Sequence, residues 1–307
     1  VNRGFDYEER IDPHGEGRTL LEHLVSRYRH SDARVWGERI LEGSVLVDGA
    51  AASPDAVLRR GQVVVWRRPG WEEPETPTSF ELLLDDRDVL AVAKPAGLPT
   101  LPGGGFLEHT LLAQVRAIDP GASPLHRLGR WTSGVVLFAR NPEAAAGLAR
   151  QFAERAIVKR YRALASGHPE RDTFTIDGPI GPVPHLLLGT VHAASPLGRP
   201  SRTRVAVVER RVDSCLCAVW IDTGRPHQIR IHLAAAGHPL VGDPLYPPGG
   251  VPSPDTRAVP GDPGYLLHAA EIGFRHPRTG EWSTVGCLPP ADLRSAEHHE
   301  DSDRPGP

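Results

Sequence analysis

Residues 124–155 read PLHRLGRWTSGVVLFARNPEAAAGLARQFAER. The segment SGVVLFAR is a short apolar run entered through glycine, and it predicts a strand. Asn141-Pro142 then opens PEAAAGLARQFAER as a helix, since proline at the first helical position forfeits only an N–H that has no partner there. Upstream, FELLLDDRDVLAVAKPAGLP (80–99) predicts two strands joined by a DDRD turn, and LLAQVRAI (111–118) predicts a helix. Downstream, KRYRALASG (159–167) and CLCAVWIDTG (215–224) predict strands, and HQIRIHLAAAG (227–237) a helix ended by Gly237. Strands and helices intermix without a regular βα repeat. The expected class is therefore α+β, with a mixed, mainly antiparallel sheet and flanking helices.

A smaller unit precedes this one. TLLEHLVSRYR (19–29) carries apolar residues at 20, 21, 24, 25 and 28, a helical spacing, and Thr19 with Glu22 makes a capping-box start. A second short helix is expected over 35–41. SVLVDGAAA then reads as a strand entering an Asp48-Gly49 turn, and QVVVWRRP as another strand. The expected division is a small N-terminal α/β domain over 1–68, a Pro-rich acidic linker over 69–77 (PGWEEPETP), a large domain over 78–293 and a disordered tail over 294–307.

Composition narrows the function classes. The 307 residues carry 35 basic and 38 acidic side chains, a net charge of -3, so the whole chain is no polycation. The charge is segregated, however: residues 126–230 hold 16 basic and 8 acidic side chains, a focused basic block inside an acidic protein. No apolar run is long enough to cross a membrane, and VNRGFDYEER has no secretory core, so no membrane association is expected. Three cysteines without a CxxC pair fit a reducing cytoplasm, with Cys215 and Cys217 alternating on a strand as buried thiols. His227 and His232 are five apart with no Cys or Glu to complete a site, so no metal is expected.

Four segments place Arg, His or Lys beside Gly or Pro at a strand end: AKPAGLPTLPGGG (93–105), PLHRLGRWTSGVVLFAR (124–140), KRYRALASG (159–167) and TGRPHQIRIHLAAAGHPLVGDPLY (223–246). Such loops present backbone N–H groups together with cations, which suits phosphate recognition. In order and spacing, with LLHAAEIGFRHPRTGEW near the end, they resemble the RluA-type family of RNA pseudouridine synthases over residues 82–293. Residues 19–66 resemble the S-four RNA-binding domain.

The resemblance implies the pseudouridine synthase fold, an RNA partner, a monomer and isomerisation of uridine to pseudouridine without a cofactor. A structured RNA is expected, ribosomal before transfer RNA. In the family an Asp acts at the sugar, an Arg pairs with it and a Tyr packs on the base. By position the Tyr is Tyr161 and the Arg is Arg230. The family's HRLD is HRLG here, so the Asp position is Gly129, and the second acidic residue of the hallmark is Trp131. The expected replacement carboxylate is Asp222, one strand end away. The expected RNA-binding residues are His126, Arg127, Arg130, Trp131, Lys159, Arg225, His227 and Gln228, with Trp131 either stacking on a base or filling the space of the lost Asp. The alternative expectation is a non-catalytic RNA-binding protein on the same scaffold.

Overall fold

The computed structural model describes residues 1–28 and 30–296, which fall into two compact units, Val1–Glu73 and Pro74 onward. The first unit contains β1 (Phe5–Arg10), α1 (Leu20–Arg27), α2 (Ala33–Leu41), β2 (Val45–Val47), β3 (Ala50–Ala51) and β4 (Val63–Arg68). The Thr19 hydroxyl accepts from the Glu22 N–H at 3.2 Å while the Glu22 carboxylate accepts from the Thr19 N–H at 3.0 Å, the reciprocal cap that the spacing predicts. Asp48 and Gly49, both with positive φ, turn β2 into β3. The strands order as β1-β4-β2-β3, and Leu20, Leu24, Trp36, Ile40, Val45 and Val64 are buried between sheet and helices.

The segment expected as a linker is not a free spacer. Asn2 donates to the Trp71 carbonyl at 3.0 Å and to Glu73 Oε1 at 2.6 Å, which ties one end to the first unit. The Pro77 carbonyl accepts from Gln114 Nε2 at 2.8 Å, which ties the other end to the second. The expected disordered tail is also corrected at its start: the Arg294 carbonyl accepts from Arg211 Nη2 and Ala296 N–H donates to Glu209. Residues 297–307 of that tail lie outside the described residues.

The second unit runs β5 (Glu81–Asp85), β6 (Val89–Lys94), α3 (Leu111–Ile118), β7 (Ser123–Pro124), β8 (Ser133–Ala139), α4 (Pro142–Ala153), β9 (Val158–Ser166), β10 (Thr173–Asp177), β11 (Ile180–His185), β12 (Gly189–Ala194), β13 (Arg202–Arg210), β14 (Ser214–Ile221), α5 (Gln228–Ala235), β15 (Leu267–Arg275) and β16 (Trp282–Gly286). One large sheet orders β10-β13-β14-β9-β15-β8-β6-β5, with β16 beside β15 and β7 beside β8. Its pairs are antiparallel except β8 with β15. The architecture is thus α+β and mainly antiparallel. Gly134 permits the parallel junction: at φ +111 it approaches Ala269 so closely that a Cβ would meet backbone oxygen at 2.1 Å.

Two buried clusters cover the two faces of this sheet. One, around Val136, Phe138, Ala163, Cys217, Val219 and Ile229, lies beneath the loops described next. The first seven residues of α5 are all buried, Arg230 included, and Gln228 bonds its N-terminal end to Arg202 and Thr203 of β13. Among the described residues no helix is long and apolar enough to cross a membrane.

Candidate active site

Four chain segments meet above the centre of the sheet: the loop before β8, the middle of β9, the turn into α5 and the approach to β15. Between them lies an open pocket of about 100 Å³ lined by Arg127, Leu128, Gly129, Thr132, Tyr161, Ile221, Arg225, His227, Gln228, Ile229, Arg230, Tyr265 and Leu267. Tyr161 is placed by strand register, paired with Val219 on one side and Ala269 on the other. Burial pushes its phenol up to about 12, so it stands as a neutral hydroxyl. Leu128, Ile221, Ile229 and Leu267 supply apolar wall.

Arg230 is 2 % exposed and chelated by Asp243, with Nε to Oδ2 at 2.7 Å and Nη2 to Oδ1 at 2.8 Å. Its Nη1 donates to the Pro260 carbonyl at 3.0 Å. The guanidinium lies over the rings of Tyr265 at 4.1 Å and Tyr246 at 5.0 Å. Asp243 also accepts from the Leu245 and Tyr246 N–H groups, so the carboxylate is enclosed and fully used. Arg230 therefore has a carboxylate partner, but one from behind the pocket. Asp243 lies in GDPLY (242–246), and only the fold shows that this stretch anchors Arg230.

Asp222, the expected replacement carboxylate, does not reach this pocket. Side chains alternate along a strand, and Ile221 faces the pocket, so its neighbour points away. Asp222 instead pairs with Arg204 at 3.2 Å and lines a separate surface cleft with Arg155, Asp177 and Arg202. No carboxylate lines the Tyr161 pocket among the described residues.

The expected RNA-binding residues divide in the same way. Arg127, Arg225, His227 and Gln228 line the pocket. Gln228 has no capacity left for a ligand: its amide oxygen accepts from Thr223 and the Arg225 N–H, and its nitrogen donates to Thr203 and the Arg202 carbonyl. His227 sits in the left-handed region, φ 55 and ψ 22, at the start of α5. Tyr246 donates its hydroxyl proton to the His192 carbonyl, so at 2.7 Å His227 Nδ1 is the donor to Tyr246 and Nε2 keeps a lone pair. Burial, then Arg230 nearby, pushes this imidazole down to about 3.

The other four do not line the pocket, and three of them hold loops in place. His126 accepts the Leu137 N–H on Nε2 at 3.0 Å and packs on Phe152, and burial pushes it down to about 4. Arg130 donates to the Gly97 carbonyl and covers the Phe106 ring. Trp131 donates its indole N–H to the Gly261 carbonyl at 2.8 Å and packs beside Gly97, neither stacking in the pocket nor filling the residue-129 position. Lys159 is half-buried, its Nζ toward Gly224.

The basic block is also less free than its charge suggests. Arg140, Arg160, Arg202, Arg204, Arg210 and Arg211 each meet a carboxylate. Arg127 and Arg225 meet none among the described residues. Three contributors escaped sequence reading. Thr132 lines the pocket from within the 124–140 segment, Tyr265 lines it from outside all four quoted segments, and Lys94, within 93–105, clamps two loops by donating to the Pro95, Leu98 and Arg130 carbonyls.

Comparison with known proteins gives one consistent answer. A family model described as RNA pseudouridylate synthase matches residues 88–235. An uncharacterized RNA pseudouridine synthase of Synechocystis sp. is 41% identical over 280 residues, 91% of this chain and 96% of that protein. The ribosomal large subunit pseudouridine synthase D of Nitrosomonas europaea is 34% identical over 85% of this chain and 77% of its own. Among solved structures, human RNA pseudouridylate synthase domain containing 1 superposes with a TM-score of 0.56 at 28% identity, covering 73% of this chain and 89% of that one.

Proposed function

The chain belongs to the RluA-type family of RNA pseudouridine synthases, which are isomerases, and from that premise we propose that it converts uridine to pseudouridine in a structured RNA at the Tyr161 pocket. Ribosomal RNA is the proposed substrate, in keeping with the name of the Nitrosomonas relative. The first unit is proposed to be an S-four-like RNA-binding unit, and the protein to act as a cytoplasmic monomer.

The observation that carries the reading is a pair of guanidinium groups, Arg127 and Arg225, which line the Tyr161 pocket while no carboxylate does. Cations without a local counter-charge suit a nucleotide phosphate, and Arg127 is exposed on that rim. The glycosidic bond of a stacked uridine is out of reach, so the nucleotide must be flipped out of the RNA. The apolar wall and Tyr161 then take the base, while the His227 lone pair and the hydroxyls of Thr132 and Tyr265 offer neutral hydrogen-bonding groups. Asp243 holds Arg230 in place, so the guanidinium acts as a fixed positive field and not as a mobile clamp.

One observation favours the second reading, RNA binding without turnover: the family's carboxylate position is Gly129, and no other carboxylate lines the pocket. One assay separates the two. Unmodified large-subunit ribosomal RNA and tRNA transcripts are incubated with wild type, Tyr161→Phe and Arg225→Ala, and pseudouridine is quantified. The expected result is product in ribosomal RNA from wild type, lost in both variants. Tight binding of both transcripts with no product from wild type would establish the binding protein instead.

A further inference from the structure

We propose that Tyr265 takes the place in the pocket that residue 129 leaves vacant, and that its hydroxyl contacts the flipped nucleotide directly; this rests on the enzymatic reading above. Gly129 is not held as glycine by its backbone, because it is absent from the residues with positive φ. What excludes a side chain there is Tyr265. A Cβ built on Gly129 would lie 2.9 Å from the phenol oxygen and 3.4 Å from Thr132 Oγ1. The first distance is below ordinary contact, so any side chain at 129 requires the Tyr265 hydroxyl to shift from its present position.

That seat is rigid. Tyr265 is 4 % exposed and its ring lies under the Arg230 guanidinium, which Asp243 and the Pro260 carbonyl fix in turn. Its hydroxyl is 3.3 Å from Thr132 Oγ1, a pairing in which either oxygen can donate. This single bond leaves the phenol able to make another. When Thr132 supplies the proton of that pair, the phenol's own proton, on a fixed ring lining the pocket, is placed to meet an oxygen of the bound nucleotide. The glycine and the tyrosine are therefore one device: the residue that is missing at 129 makes room for the hydroxyl that arrives from 265.

The test is a double-mutant cycle on an unmodified large-subunit ribosomal RNA transcript, using wild type, Tyr265→Phe, Gly129→Ala and the double variant. Single-turnover pseudouridine formation at saturating protein is measured beside RNA affinity. Tyr265→Phe is expected to slow the reaction about tenfold to a hundredfold, the range for loss of one positioned donor, with affinity within about twofold. Gly129→Ala, whose methyl displaces the phenol, is expected to lose a similar amount, and the double variant no more than Tyr265→Phe alone. Wild-type rate and affinity in Tyr265→Phe, or fully additive losses in the double variant, would overturn the proposal while leaving the enzymatic reading standing. An inert wild type would overturn the enzymatic reading, and this proposal with it.

Discussion

Two carboxylates flank the helix that carries Arg230, and they live in different physical worlds. Asp243 is fully enclosed and bonded to Arg230 and two backbone N–H groups. Asp222 is 37 % exposed in its side chain and shares one contact with Arg204, which is 43 % exposed. Distance along the chain favours Asp222, eight residues before Arg230, over Asp243, thirteen after it. Strand alternation and a tight turn reverse that order. The lesson is that a charge's partner is set by the direction its side chain leaves the backbone, and sequence proximity at a strand end carries half the information at most.

The sharpest way to break this comparison is to neutralise each carboxylate. Asp243→Asn strands a buried guanidinium, and is expected to cost about 3–5 kcal/mol in urea unfolding. Asp222→Asn removes a solvent-screened contact, and is expected to change stability by less than about 0.5 kcal/mol and pseudouridine formation not at all. Equal losses from the two would show that the enclosure of Asp243 has no energetic meaning.

Lys94 sharpens the contrast, since it is a buried cation with no carboxylate. Lys94→Met is expected to cost about 2 kcal/mol, because three carbonyls lose their donor while the burial cost of the ammonium is relieved. Burial, then Arg130, pushes Lys94 from 10.5 down to about 7. Between those values the unfolded chain binds more protons than the folded one, so wild-type stability should rise as pH climbs from about 7 toward 10.5. Urea midpoints across that range should show the slope in wild type and a flatter one in Lys94→Met. A smaller effect separates the two rims by salt. Arg225→Ala should reduce the slope of log affinity against log salt by about 1, and Arg204→Ala, already paired on the flank, should leave it unchanged.

Much of this was legible beforehand, and the failures have causes. Periodicity, caps and the Asn141-Pro142 start located the helices, and apolar runs located the central strands. The strand Phe5–Arg10 was missed because FDYEER is largely exposed and charged, an edge strand without a buried face to pattern it. Tyr161, Arg230, Arg127, Arg225 and His227 were legible as one site because each sits at a punctuated loop or strand on the pocket side. His126, Arg130 and Trp131 belong to the same loop but face its supports. One loop turns side chains in several directions, and no local pattern encodes which one faces solvent. Gly129 misled most. The sequence shows a glycine at the family's Asp position, and does not show the hydroxyl of a tyrosine 136 residues further along lying beside it.

The lone parallel pairing of β8 with β15 has a consequence for biosynthesis. Ser133 and His268, bonded side chain to side chain across that junction, are 135 residues apart in the chain. At about 5–20 residues per second, the ribosome needs roughly 7–27 seconds to deliver the second after the first. Until then β8 lacks its neighbour at Ser133–Gly134, β9 lacks its neighbour along Val158–Ala163, and Tyr265 has not been translated. The nascent chain can hold a half-built sheet but no finished pocket, so it can neither hold a nucleotide there nor cover that strand edge. Newly made protein should be most vulnerable to aggregation and to chaperone capture in that interval.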